Sequence, residues 1–173
     1  MSDSIVPILS QSPVIARQSR IPIKRENQSS EPHGFLGFEL DGQEYGVDLN
    51  LVAQIVKPPS LTWVPRMESH ILGIISIRGS VVTLLDLRQL MGLLPTPWPK
   101  NSRVLTVVLG NERVGLLVDS VTQVRRISLS DLEKNPSLSD GPSADYVLFI
   151  ARPQKNKQMI VIDLDAILKE KLG

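Results

Sequence analysis

The sequence predicts a mainly β protein, built as two small barrels or sheets packed side by side, and three observations carry that prediction. Short runs rich in Val and Ile recur along the chain, punctuated by Gly, Pro and Asn, as short strands joined by tight turns require. Aromatic residues make up only 4% of the chain, so its packing must be aliphatic. The pattern also repeats: Tyr45-Gly46-Val47 is echoed by Val114-Gly115-Leu116, and Val52-Ala53-Gln54-Ile55 by Val121-Thr122-Gln123-Val124 at the same separation. Leu84-Leu85-Asp86-Leu87 returns as Val161-Ile162-Asp163-Leu164. A duplicated module of about 70 residues accounts for all three echoes.

The elements follow in order. Residues 1–33 mix Ser, Gln, Pro and both charges without a sustained period of strand or helix, which predicts a disordered tail. Its apolar run Ile5-Val6-Pro7-Ile8-Leu9 lacks a basic flank and is broken by proline, so it does not read as a signal peptide. Arg17, Arg20, Lys24 and Arg25 are diluted by Glu26 and Glu31, and read as a solvated linker rather than a docking motif. The first strand is expected from Gly34-Phe35, turning at Asp41-Gly42, the dipeptide suited to positive φ, and returning through Tyr45-Gly46-Val47. Asp48 then caps an expected helix, Leu49 to Val56, stopped by Pro58-Pro59, and Trp63-Val64-Pro65 follows as an extended piece.

Ile71 to Ile77 and Val81 to Leu85 are continuous apolar runs of strand length. Leu87 to Met91, ending at Gly92, and Leu164 to Leu172 are expected short helices. Pro95, Pro97, Trp98 and Pro99 mark a linker, with Trp98 as a lid on the core or an anchor for a partner. The expected organisation is thus a tail over 1–33 and a body over 34–173, with modules at 34–92 and 103–173 joined by 93–102.

Composition narrows the function. Nineteen Lys and Arg balance eighteen Asp and Glu for a net charge of +1, so no field drives binding to nucleic acid or an anionic membrane. No apolar run reaches the roughly 18 residues that a membrane helix needs, and a cytoplasmic protein without direct membrane insertion is expected. Cysteine is absent, which removes disulfides and thiolate chemistry. His33 and His70 stand in no metal-ligand or catalytic spacing, show no evident carboxylate partner and read as exposed loop histidines. Gly73, Gly79 and Gly92 are too far apart to cradle a phosphate, and no Gly-x-Ser-x-Gly elbow occurs. Asp48, Asp86, Asp119 and Asp163 each follow a strand, the place of a capping carboxylate. The expectation is a binding module with no catalytic residue, metal or cofactor.

One residue resists an explanation by folding. Between the apolar runs Ile71–Ile77 and Val81–Leu85, Arg78-Gly79-Ser80 is the only polar break, and Arg78 is the only charged residue from Ile71 to Leu85. Its guanidinium either sits on a turn in solvent or is held at a rim, gripping a carboxylate or carbonyl.

Taken together, these segments resemble the CheW family of chemotaxis coupling proteins. The likeness runs from Phe35 to Leu172 through Phe38-Glu39-Leu40 with Tyr45-Gly46-Val47-Asp48, Ile71-Leu72-Gly73-Ile74-Ile75-Ser76-Ile77-Arg78-Gly79, Leu84-Leu85-Asp86-Leu87-Arg88 and Val114-Gly115-Leu116-Leu117-Val118-Asp119-Ser120-Val121. The resemblance implies two SH3-like five-stranded β-barrels around a shared apolar seam, with short helices. It implies a non-enzymatic adaptor that links the cytoplasmic helical tip of a methyl-accepting chemoreceptor to the regulatory domain of a CheA-type histidine kinase, recruited to receptor arrays at the inner membrane. By the same resemblance Arg78, Gly79, Val121 and Val124 are receptor-binding, and Val52 and Gln54 contact the kinase or the receptor. Gly73, Asp86, Gly115 and Asp119 match signature positions whose role is architectural in the simplest reading.

The chain departs from the family pattern at Gln54, where many relatives have glutamate, at Ser76 in place of asparagine and at Thr83 in place of proline. With the long tail, these departures imply a specialised pathway such as pilus-driven or light-directed movement. The alternative is another protein-interaction or peptide-binding module built on small β-barrels.

Overall fold

The computed structural model describes residues 31–134, 144–154 and 157–172. Of the tail expected over 1–33, positions 1–30 lie outside the described residues, and the first strand opens at His33, one residue before Gly34. The elements run β1 (His33–Leu40), β2 (Gln43–Asp48), β3 (Val52–Val56), β4 (Ile71–Ile77), β5 (Ser80–Asp86) and α1 (Leu87–Leu90). After the proline-rich linker come β6 (Arg103–Leu109), β7 (Glu112–Val118), β8 (Ser120–Ile127), β9 (Leu132–Lys134), β10 (Val147–Gln154), β11 (Lys157–Ile162) and α2 (Leu164–Leu172).

Local chemistry explains most of these elements. Asp41 and Gly42 adopt φ values of 50° and 75°, the doubly left-handed turn whose twist suits the β1–β2 hairpin. Asp86 accepts from the Gln89 N–H and caps α1, and Asp163 accepts from the Ala166 N–H at 2.9 Å at the start of α2. The helix expected over Leu49 to Val56 does not form. Asp48 does cap, accepting from the Asn50 N–H at 2.8 Å, but only a 3₁₀ turn over Leu49–Leu51 follows before β3 begins. Along β3 half-buried Val52, Gln54 and Val56 alternate with exposed Ala53 and Ile55, a period of two that suits β-branched residues in a strand.

Two sheets result, with strand orders β8-β1-β2-β11-β10-β9 and β3-β6-β7-β5-β4. The second has the expected five strands, and the first gains the short β9 as a sixth. The sequence modules are not the spatial ones. Pairings β1·β8 and β2·β11 build the first sheet across the two halves of the chain, and β3·β6 and β5·β7 do the same for the second. Each half contributes strands to both sheets, so 34–92 and 103–173 are interleaved rather than set side by side.

Burial follows this interleaving. Phe35, Phe149 and Met159 fill the interior of the first sheet, while Ile75, Val82, Val104 and Leu117 fill the second. The largest cluster takes Phe38 and Tyr45 from the first sheet, Leu85, Leu105 and Leu116 from the second and Leu164 from α2, which is the shared apolar seam the resemblance implied.

Candidate functional site

Arg78 lies at the tip of the β4–β5 hairpin, where Ile77 pairs with Ser80 and only two residues turn the chain. Such a turn needs two positive φ angles, and Arg78 and Gly79 supply 49° and 81°. Gly79 meets this without strain. Arg78 pays roughly 1–2 kcal/mol for the left-handed conformation, which holds its side chain out from the sheet. It is exposed and makes no hydrogen bond or ion pair with the other described residues. Of the two readings open from sequence, the turn in solvent is the one observed, and among the described residues no carboxylate or carbonyl is gripped.

The surface beside Arg78 is mixed, with Ser76 and Ser80 exposed next to one apolar side chain, Val81. Val81, opposite Ser76 in the β4–β5 register, is 72% exposed. Trp63, 71% exposed, follows Thr62, which bridges to Ile74 of β4. Exposed Trp and Arg are both residue types enriched at the centres of protein interfaces. Sequence reasoning missed Trp63 because its proline-flanked segment has no period to mark a face. Of the two readings given for Trp98, lid or anchor, the structure shows the lid: the ring packs half-buried against the core, with the Arg88 guanidinium 4.1 Å from its centroid.

The remaining proposed contact residues lie on two other strands. Val52 and Gln54 are on β3, at the opposite edge of the five-stranded sheet from β4, and Val121 and Val124 are on β8, an edge of the six-stranded sheet. Val52 and Val121 both border the central cluster, while Val124 is 50% exposed. Arg78 and Gly79 are therefore not brought together with β3. Ser120 donates to Glu39 and Thr122 to Glu44, each at 2.8 Å, and these bonds brace β8 onto the β1–β2 hairpin.

Gln54 carries an electrostatic oddity. Its Oε1 is buried without a hydrogen-bond partner among the described residues, an unmade bond worth about 1–3 kcal/mol. Gln54→Met, which keeps the shape and removes the acceptor, should leave the stability of the free chain unchanged or raise it by up to about 1 kcal/mol in urea denaturation. A loss beyond about 1 kcal/mol would mean that the amide is satisfied in the folded chain.

The signature positions divide by physical role. Gly73, at φ 146°, lies so close to Thr62 that a Cβ would collide with its carbonyl oxygen. A Cβ on Gly115 would stand 3.0 Å from Val104 Cγ1 and 3.3 Å from Leu84 Cδ1, inside the packed sheet. Asp86 is the α1 cap and also accepts from Gln89 Nε2 at 3.0 Å. Asp119 departs from the capping expectation, because β8 follows it directly and no helix begins there. Its carboxylate instead lies 2.5 Å from Arg88 Nη2 and accepts from the Asp41 N–H at 2.9 Å. Arg88, only 3% exposed, also donates to the Thr96 carbonyl at 2.7 Å and to the Thr96 hydroxyl. This ion pair, buried on the Arg88 side and half-buried on the Asp119 side, ties α1, the linker, the first hairpin and the β7–β8 junction together.

The histidines differ from their sequence expectation. His33 Nε2 is 3.0 Å from Asp48 Oδ2 and His70 Nδ1 is 3.5 Å from Glu68 Oε2, partners that residue spacing concealed. Among the described residues, no further hydrogen bond or ion pair links either pair to a nucleophile or second base. Among the described residues no group of three or more His, Asp or Glu is placed to hold a metal ion, and no helix is long and apolar enough to cross a membrane.

Comparison with known proteins agrees with this architecture. The family model for the CheW-like domain matches residues 34–172. The chain is 29% identical over 147 residues to the chemotaxis protein CheW of Helicobacter pylori, covering 84% of this chain and 87% of that protein. It is 29% identical over 133 residues to the chemotaxis protein CheW of Bacillus subtilis, covering 76% and 83% of the two chains. The crystal structure of the scaffolding protein TtCheW from Thermoanaerobacter tengcongensis superimposes with a TM-score of 0.71 at 30% identity, covering 80% of this chain and 93% of that one. Two interleaved sheets around a common seam, matched over nearly the whole body by sequence and by structure, make this chain a member of the CheW family.

Proposed function

We propose that the chain is a non-enzymatic adaptor coupling methyl-accepting chemoreceptors to a CheA-type histidine kinase in a bacterial chemotaxis or motility pathway. It works in the cytoplasm, at receptor arrays on the inner membrane. Arg78 and Gly79, with Val121 and Val124, meet the helical tip of the receptor, and Val52 and Gln54 contact the kinase regulatory domain or the receptor. The observation that carries this reading is Arg78 itself, a cation with no partner among the described residues, presented on a strained turn beside exposed Val81. A cation presented this way suits a carboxylate on a partner and does nothing evident for the fold.

Holding both partners at once raises their effective concentration and fixes their geometry without any turnover. Co-purification of the tagged chain from its native cell, followed by mass spectrometry, should recover a receptor and a histidine kinase. Arg78→Ala should change stability by less than about 1 kcal/mol while weakening receptor capture. Loss of folding in that variant would end the binding role given to Arg78.

A further inference from the structure

A groove runs along α2 and the β6–β7 turn, remote in function from the contact residues named so far. It consists of two adjoining cavities of about 380 and 520 Å³ that share Leu109, Gly110 and Asp165. Leu51, Val108, Leu109, Leu164, Leu168 and Leu172 give it an apolar floor and walls, of which Val108 is 38% and Leu172 42% exposed. Its polar lining is acidic: Asp48, Asp163, Asp165 and Glu112 against the single ammonium of Lys169.

We infer that this groove binds the N-terminal segment of the same chain, centred on Ile21-Pro22-Ile23. Three observations converge on that occupant. The first is charge, since residues 17–25 carry Arg17, Arg20, Lys24 and Arg25 and no carboxylate, the complement of the groove. The second is chemistry: two isoleucines around a proline form a short apolar segment with a pre-set backbone, which loses little entropy on docking. The third is position. His33 opens β1 and lies 3.0 Å from Asp48, which lines the groove, so the tail leaves the body at the groove's end. Ten residue-to-residue steps lead from Ile23 to His33, and at about 3.3 Å each they reach about 33 Å.

Tethering makes weak contacts sufficient. A segment held this close meets the groove at an effective concentration on the order of millimolar, so an intramolecular partner outcompetes a second copy of the chain at ordinary concentrations. The inference goes beyond the coupling role and involves none of its proposed contact residues.

The chain has no cysteine, so Ser19→Cys in the full-length protein offers a unique site for a nitroxide label. Docking predicts selective loss of amide signal at Leu109, Gly110 and Leu168, with β4 and β5 unaffected, and recovery of that signal in Arg20→Glu/Lys24→Glu. Uniform loss, or no loss, would overturn the inference, as would loss that persists after the charge reversal. Loss on the isotope-labelled partner in a mixture of nitroxide-labelled and isotope-labelled chains would assign the groove to a second copy and overturn docking within one chain.

Discussion

Asp119→Ala should cost about 3–5 kcal/mol of folding stability, a large share of the 5–15 kcal/mol typical of a domain. The reason is the partner left behind. Arg88 is 3% exposed and cannot lose its proton, so removing the carboxylate at 2.5 Å strands a cation in the interior with only Thr96 and the Trp98 ring to solvate it. The same change frees the Asp41 N–H and loosens the β1–β2 turn against β8. Chemical denaturation of the variant measures the loss, and a shift below about 1 kcal/mol would show that the pair is solvated in the native chain. Replacing both partners by apolar residues, Arg88→Met with Asp119→Leu, should recover much of the stability, because no charge then remains buried.

Separating the chain at the linker should abolish the fold of both pieces. Residues 34–92 retain only the β1–β2 and β4–β5 hairpins, each a two-stranded unit that is marginal alone in water. The four pairings that would extend them, β1·β8, β2·β11, β3·β6 and β5·β7, all need strands from the other half. The central cluster is divided by the same cut, exposing Phe38, Tyr45 and Leu85 on one piece and Leu105, Leu116 and Leu164 on the other. Each fragment should show the circular dichroism of an unfolded chain, and mixing the two should restore strand signal. Cooperative thermal unfolding by either fragment alone would contradict the interleaved topology.

Sequence reasoning reached the local features and stopped at the pairings. Asp41-Gly42 announced its hairpin because the dipeptide tolerates two positive φ angles, and Asp86 and Asp163 announced helix starts because a carboxylate at that point satisfies free N–H groups. The three echoes exposed the duplication, yet an apolar strand says which face is buried and not which neighbour it pairs with, so the interleaving stayed hidden. The β3 segment was misread because Asp48 and Pro58-Pro59 fit the two ends of a helix as well as those of a turn and strand. Its echo at Val121 to Val124 carries the missing signal, since both copies are edge strands.

At the site, Arg78 was legible as an outlier in an aliphatic run, though its partnerless place on the turn was not. Arg88 and Asp119 went unrecognised as a pair because 31 positions separate them and neither is unusual beside its sequence neighbours. The exposure of Trp63 depends on the Thr62 bridge to β4, a contact no periodicity foretells.

The adaptor role stands or falls on simultaneous binding. The purified chain, a receptor signalling tip and the regulatory domain of a CheA-type kinase should sediment together as one species containing all three. The amount of kinase domain bound should be unaffected by saturating receptor tip. Displacement of one partner by the other, or failure of the chain to bring them into one complex, would contradict the account.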